Sequence, residues 1–244
     1  ALTGNYNKPL LGSIVKPKTG LTGRALQEIV SAFVEGGVDF IKEDEIMANP
    51  SCLPLTQRIE LAQEVLKGSK VVYCYCINAD PLHVLDRAKQ VADGGGNGVH
   101  INFWSGHGVY KSINQMNLPL YIHYQKSGDK VLSSTKNAYR IAWPVLCKLA
   151  SISGVDTIHT GMWGGYLSDD ENELRRTMQM LSSNNTVPAL SCGMTAELIP
   201  EVTRRFGVDY LANVGGAIHE HPDGMTAGTR KIRNAIDRED RSIV

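Results

Sequence analysis

The sequence has no net charge, no long apolar run and few cysteines, and each of these shortages excludes a class of protein. Its 25 Lys and Arg residues balance 25 Asp and Glu residues, whereas nucleic acids and anionic membrane surfaces select basic proteins. No apolar stretch approaches the roughly 20 residues that a membrane-spanning helix needs. We therefore expect neither a nucleic-acid nor a membrane partner.

The N terminus and the cysteines are typical of a cytoplasmic protein. The segment from Ala1 to Asn5 has no charged-then-apolar signal pattern. The five cysteines are an odd number and lie among apolar neighbours, which favours reduced thiols. Cys74 and Cys76 form a C-x-C motif with no second pair, which is a poor zinc site.

Short β-branched segments alternate with longer segments of helical periodicity, and the alternation occurs eight times. The predicted strands are Leu10–Lys16, Asp39–Asp44, Val71–Asn78, Gly98–Phe103, Pro119–Tyr124, Thr157–Thr160, Val187–Ser191 and Tyr210–Val214. The predicted helices are Thr22–Glu35, Leu55–Leu66, Leu82–Ala92, Tyr110–Met116, Ala138–Ser151, Glu171–Leu181, Ala196–Arg205 and Thr226–Asp237. The longest predicted connection, Gln125–Lys136, is long enough to be functional.

This alternation, without a Pro/Ser-rich linker, predicts one α/β domain over residues 1–244, a (β/α)8 TIM barrel. An open, doubly wound sheet is the alternative. That fold would need a glycine-rich dinucleotide turn after its first strand, and Lys16–Gly20 is not such a turn.

Polar residues follow nearly every predicted strand, at the end of the barrel where active sites are built. Lys42 and Asp44 are two positions apart on the second strand, so both face the barrel mouth, with Glu45 at the turn. Two carboxylates suit Mg²⁺, and a carbamate formed from Lys42 and CO₂ would add a third oxygen ligand. Alternatively, Lys42 is an ammonium paired with its neighbouring carboxylates.

Glycines at the ends of the last two strands suit phosphate binding. Gly193, Gly215 and Gly216 would let backbone amides approach an anion closely, in the region where barrels often bind phosphate. The alternative is that Gly215-Gly216 makes a tight turn. His123 and His159 lie at the same end of adjacent strands, which favours contact with substrate over a role in the core.

Other histidines and the tryptophans receive simpler interpretations. His219 and His221 resemble a metal-binding tract, but a loop role is the simpler interpretation. The three tryptophans, Trp104, Trp143 and Trp163, are expected to pack. Trp163 lies in a glycine-flanked loop and could instead cover a ligand.

Three motifs resemble the catalytic barrel of the ribulose-bisphosphate carboxylase (RuBisCO) large subunit and its RuBisCO-like relatives. Gly12–Leu21 resembles the first-strand motif of that family. Gly36–Glu45 resembles the motif that holds a carbamylated lysine and two metal carboxylates. Asn213–Gly224 resembles the last-strand phosphate loop, in the form found in the RuBisCO-like enolases. The resemblance extends over essentially all 244 residues.

The resemblance implies a Mg²⁺ enzyme with CO₂ bound as a lysine carbamate, acting as a homodimer or higher homo-oligomer. Lys42, Asp44 and Glu45 would bind the metal, and Lys16 would act as an acid/base near the enediolate. The other implied site residues contact the substrate or its phosphate. They are Lys18, His123 (also a catalytic candidate), His159, Ser191, Gly193, Gly215 and Gly216.

Departures from the family motifs change the expected reaction. Tyr124 stands where the carboxylases have an arginine for a second phosphate, and Ser127 replaces a family histidine. Tyr166 stands where they have a mobile lysine, and a phenol cannot supply that positive charge to incoming CO₂. Nothing in the sequence resembles the family's N-terminal domain, which we expect to be absent.

We therefore expect an enzyme that enolises or isomerises a phosphorylated ketose or keto compound. The alternatives are decarboxylation or C–C cleavage of a phosphorylated 3-keto acid, carboxylation of ribulose bisphosphate, and a barrel that only binds a phosphorylated metabolite.

Overall fold

A computed structural model describes residues 7–240, so the segment from Ala1 to Asn5 lies outside the described residues. Eight parallel strands form a closed barrel in sequence order, and the last strand pairs with the first. The predicted (β/α)8 barrel is confirmed. The strands are β1 (Leu10–Ile14), β2 (Phe40–Lys42), β3 (Val72–Cys76), β4 (Gly98–Asn102), β5 (Tyr121–Gln125), β6 (Thr157–Gly161), β7 (Val187–Leu190) and β8 (Leu211–Val214).

Helices connect the strands and cover the barrel. The long helices are α1 (Gly23–Gly36), α2 (Leu55–Leu66), α3 (Pro81–Asp93), α4 (His107–Gln115), α6 (Trp143–Ile152), α7 (Glu171–Ser183), α8 (Ile199–Phe206) and α10 (Met225–Asp237). Two four-residue helices, α5 (Lys130–Ser133) and α9 (Gly216–His219), follow β5 and β8.

Helix α1 shows how local sequence sets these bounds. Thr22 Oγ1 accepts a hydrogen bond from Ala25 N at 3.2 Å and caps the helix. Gly37 adopts a left-handed conformation, with φ of 89°, and its N–H bonds the Phe33 and Val34 carbonyls. Both ends lie within a residue or two of the prediction.

Two predicted segments differ from the structure after β5. Helix α6 begins at Trp143 rather than Ala138, because Pro144 has no N–H and is tolerated only in the first turn of a helix. The connection predicted from Gln125 to Lys136 begins one residue later, since Gln125 ends β5, and it contains α5.

The apolar core is divided by the barrel wall. The larger part fills the layer between strands and helices. The smaller part lies inside the barrel, where Phe40, Val72, Cys74, Ala189 and Leu211 are buried towards the N-terminal ends of the strands. Polar side chains occupy the upper half of the interior, which is the half that opens at the barrel mouth.

Candidate active site at the barrel mouth

The end of β2 places a lysine and two carboxylates together. Lys42 is only 2% exposed, and its Nζ lies 3.7 Å from Glu45 Oε2. Burial lowers the pKa of the Lys42 ammonium, although the charges of Glu45 and Asp44 oppose that shift. Asp44 Oδ2 is in contact with Lys16 Nζ, and Asp44 Oδ1 accepts from Ile46 N at 3.2 Å. The four predicted residues of this group are therefore neighbours in space.

Glu45 is also held from the opposite side of the mouth, by the end of β5. Ser127 Oγ donates to Glu45 Oε1 at 2.5 Å, and Gln125 Nε2 lies 3.4 Å from Glu45 Oε2. Burial raises the pKa of Glu45, but the charge of Lys42 and the hydrogen bond from Ser127 outweigh burial and leave that pKa lowered. The Glu45 backbone carbonyl accepts from Asn78 Nδ2 at 2.7 Å. The residue is thus fixed by β3 and β5 together.

Three histidines from adjacent strands line the interior beside this group. His123 is fully buried, its Nε2 lies 3.4 Å from Gln125 Oε1, and its Nδ1 has no partner within residues 7–240. Burial, with the charges of Lys126 and Lys42, lowers the pKa of His159 to about 3. His100 on β4, which the sequence reasoning did not identify, has its ring centroid 5.5 Å from that of His123. Burial lowers the pKa values of His100 and His123 as well, which favours the neutral form of all three rings.

The predicted phosphate residues have different surroundings. A Cβ added at Gly215 would meet only Ile14 Cδ1 at 4.0 Å, so the space beside this backbone is open. Ser191 Oγ lies 3.5 Å from Asn213 Nδ2. A Cβ at Gly193 would instead lie 2.6 Å from Tyr166 N and 2.8 Å from Gly165 Cα. Glycine at 193 is therefore required by contact with a neighbouring loop.

In that neighbouring loop, residues 161–170 at the end of β6, the middle packs on the chain after β7 and the two ends are hydrogen-bonded to each other. Gly165 packs on the Cys192 carbonyl, which a Cβ at Gly165 would approach to 2.2 Å. Asp169 Oδ2 accepts from Met162 N at 3.1 Å and lies 3.6 Å from the buried Lys126 ammonium. Tyr166 is 80% exposed at the top of the loop.

The remaining predicted residues have other surroundings. Lys18 is exposed in the loop after β1. His219, the last residue of α9, has its Nε2 2.7 Å from the Ile14 carbonyl. In the loop that follows, His221 Nδ1 accepts from Asp223 N at 3.2 Å. The Arg205 guanidinium lies 4.1 Å from the centroid of the Trp163 ring, so this ring packs on α8.

Two tryptophans differ in exposure. Trp143 is buried beneath the Lys126 ammonium, as predicted for a packing residue. Trp104 is 53% exposed, so it packs at the surface and not in the core. Its ring lies over Phe103, with 4.6 Å between the centroids.

Residues 7–240 contain neither a cluster of conventional metal ligands nor a membrane-spanning helix. No group of three or more His, Cys, Asp or Glu side chains there is arranged to hold a metal ion. The Lys42 group is different in kind, since it combines the two carboxylates Asp44 and Glu45 with the two lysines Lys42 and Lys16. Within the same range, no helix has the length and apolarity that a bilayer crossing requires.

Comparison with known proteins gives the family. The family model for the catalytic domain of the ribulose bisphosphate carboxylase large chain matches residues 2–242. The chain belongs to this family. Its barrel has the fold of octameric RuBisCO from Pyrococcus horikoshii, with a TM-score of 0.90 and 28% identity over 97% of this chain and 59% of that one.

Two relatives with other activities match equally far. The chain is 29% identical to a 2,3-diketo-5-methylthiopentyl-1-phosphate enolase of Geobacillus kaustophilus, over 96% of this chain and 60% of the relative. It is 30% identical to a 3-oxo-isoapionate-4-phosphate decarboxylase of Rhizobium rhizogenes, over 96% and 59%. The chain thus spans about three fifths of the length of the relatives that it matches.

Proposed function

We propose that this chain is a Mg²⁺-dependent enzyme that removes a proton beside the carbonyl of a phosphorylated ketose or keto compound, forming an enediolate. The observation that carries the proposal is the buried Lys42 with Asp44 and Glu45 at its side. A barrel that only binds metabolites has no use for three potential oxygen ligands in one place.

The donor set suits Mg²⁺ once Lys42 has reacted. The ammonium form of Lys42 cannot ligate a cation. Once it has lost its proton, the amine adds CO₂ and releases one further proton, and the resulting carbamate has oxygen atoms that can ligate a cation. Burial favours that amine by lowering its pKa. Asp44 and Glu45 now accept hydrogen bonds from Lys16 and Ser127, and oxygen donors of this kind are the ligands that Mg²⁺ prefers.

The chain's own groups divide the remaining work. When bound, Mg²⁺ would polarise the substrate carbonyl and make the neighbouring C–H acidic. Lys16, whose Nζ contacts Asp44, is placed to exchange a proton with the enediolate oxygens or carbon. His123 and His159, neutral and short of partners, are available to bind substrate hydroxyl or carbonyl groups.

The phosphate is assigned to the end of β8. Gly215 borders open space, and Ser191 and Gly193 lie on the adjacent strand end. We also retain Lys18 and Gly216 as substrate-binding candidates, since their positions match the family motifs. One phosphate fits better than two, because Tyr124 cannot replace an arginine at a second phosphate.

The loop after β6 argues against carboxylation. The position of the mobile lysine is occupied by Tyr166, whose hydroxyl carries no positive charge for CO₂. Decarboxylation of a phosphorylated 3-keto acid remains the second candidate, because it uses the same enediolate and the Rhizobium decarboxylase matches 96% of the chain. Released CO₂ in product analysis distinguishes the two.

The first test is calorimetry of Mg²⁺ binding with and without bicarbonate. We expect binding that needs bicarbonate in the native chain and is lost in Lys42→Ala. Lys126→Ala is the matched control, since it removes another buried ammonium from outside the donor set. Binding that ignores both bicarbonate and Lys42 would refute the carbamate site.

The second test is solvent-deuterium exchange into candidate sugar phosphates. Exchange that depends on Mg²⁺ and bicarbonate would support the enolase, and silence across a broad panel would favour a binding protein. We further propose a cytoplasmic homo-oligomer. The five cysteines are free, and the similar Pyrococcus structure is octameric.

A further inference from the structure

A fully buried arginine is hydrogen-bonded to several parts of the loop after β2, which contains Asp44 and Glu45. Arg58, on α2, is 0% exposed. Its Nε donates to Glu43 Oε1 at 2.9 Å and its Nη1 to the Leu53 carbonyl at 2.8 Å. Its Nη2 donates to the carbonyls of Ala48 at 2.9 Å and Cys76 at 3.2 Å. The guanidinium therefore ties α2 to β3 and to both halves of the loop after β2.

Glu43 completes this buried cluster from the position between Lys42 and Asp44. Successive residues at a strand end alternate in direction, so Glu43 points away from the mouth. Its Oε1 also accepts from Tyr73 Oη at 3.1 Å, and its Oε2 accepts from Cys76 N at 2.7 Å. Every one of these contacts is to the wall of the barrel, and none is to the mouth.

The consequence falls on the backbone between Lys42 and Glu45. Residues 43–54 include no regular helix or strand, and a connection of this kind is ordinarily mobile. Here it is fixed at Glu43, Ala48 and Leu53 by one guanidinium. Since Asp44 and Glu45 lie at the start of this connection, the Arg58 contacts restrain their backbone in addition to the bonds that Glu45 makes with Asn78 and Ser127.

We infer that Arg58 and Glu43 are positioning residues for the Lys42, Asp44 and Glu45 site, holding the carboxylates in place for a divalent cation before it binds. This inference rests on the proposed function and adds two residues that touch neither substrate nor metal. Groups that orient metal ligands typically change metal affinity by about 10- to 100-fold when they are removed.

The test compares Arg58→Met and Arg58→Lys with a matched arginine at the other end of the barrel. Arg233 donates to the Gly37 carbonyl at 2.9 Å and pairs with Asp39, so Arg233→Met removes a comparable cluster remote from the mouth. We expect Mg²⁺ affinity in bicarbonate to fall at least about 10-fold in both Arg58 variants. Arg233→Met should lower the melting temperature and leave the affinity unchanged.

A second readout needs no metal. Hydrogen exchange of the amides in residues 44–54 should accelerate in the Arg58 variants and stay native-like in Arg233→Met. Native affinity and native exchange in a folded Arg58→Lys or Glu43→Gln would overturn the inference, even if stability fell. If the native chain binds no Mg²⁺, the proposed function fails, and the exchange of residues 44–54 still decides whether Arg58 orders the loop.

Discussion

Substitution of Gly193 tests whether the loop after β6 is seated as the structure indicates. A Cβ at this position would lie 2.6 Å from Tyr166 N and 2.8 Å from Gly165 Cα, and both are backbone atoms that cannot rotate away. Gly193 also has a φ of 112°, which side chains rarely adopt. Gly193→Ala therefore combines backbone strain with displacement of residues 165 and 166.

A control separates these two costs. Gly207 has a φ of 85°, and a Cβ there would meet nothing within 4 Å. Gly207→Ala should cost only the strain, about 1–3 kcal/mol. Gly193→Ala should cost that strain and about 1–3 kcal/mol more, which is the usual penalty of overpacking.

Urea denaturation measures the difference, and limited proteolysis measures the loop. We expect Gly193→Ala to be less stable than Gly207→Ala and to be cleaved faster within residues 161–170. Equal losses of stability in the two variants, with an unchanged rate of loop cleavage, would refute the packing of this loop on Gly193.

Three further predictions concern the interior of the barrel. Ser127→Ala removes a hydrogen bond to Glu45 and should raise the lowered Glu45 pKa. A carboxyl whose pKa is lowered by folding stabilises the fold at pH values above its unfolded-state pKa, so the variant should be less stable than the native chain at pH 7. The two should be equally stable at pH values below the lowered pKa. An unchanged Glu45 pKa in an NMR titration would contradict this. The pKa of His159 falls to about 3 in the fold, from 6.5. As the pH drops below 6.5, the unfolded chain therefore takes up a proton before the folded chain does. The free energy of unfolding should fall by up to about 1.4 kcal/mol per pH unit between pH 6.5 and 3. His159→Asn should reduce this pH dependence in urea titrations. Phe40→Ala, in the lower interior, should cost about 3–5 kcal/mol with Mg²⁺ affinity unchanged by calorimetry, and a weaker affinity would show that the two halves of the interior are coupled.

Periodicity and capping residues predict most of the fold, because they act over short stretches of chain. The bounds of α2 are the predicted Leu55–Leu66, and α1 begins after Thr22 because that hydroxyl caps its first turn. The prediction is poorest after β5. There the apolar pattern extends before Trp143, and the true start of α6 is set by Pro144.

The candidate site is predictable where alternation along a strand decides direction. Lys42 and Asp44 are two residues apart, and the structure places them together with Lys16 and Glu45. Contacts between distant segments leave no such signal. Arg58 is an ordinary polar residue of an amphipathic helix in the sequence, and its four acceptors are defined only once α2 packs on β3.

An apolar cluster separates the Lys42 group from the N-terminal ends of the strands. Phe40, Val72, Cys74, Ala189 and Leu211 are buried in it, and the hydroxyls of Thr157 and Tyr121 beside it bond to each other. Lys16, whose side chain is 41% exposed, connects this group with solvent at the mouth. In the proposed reaction, protons and substrate would therefore arrive from the same side. A loop that shuts the mouth would retain a transferred proton for return to the same molecule, whereas an open loop would release it to water.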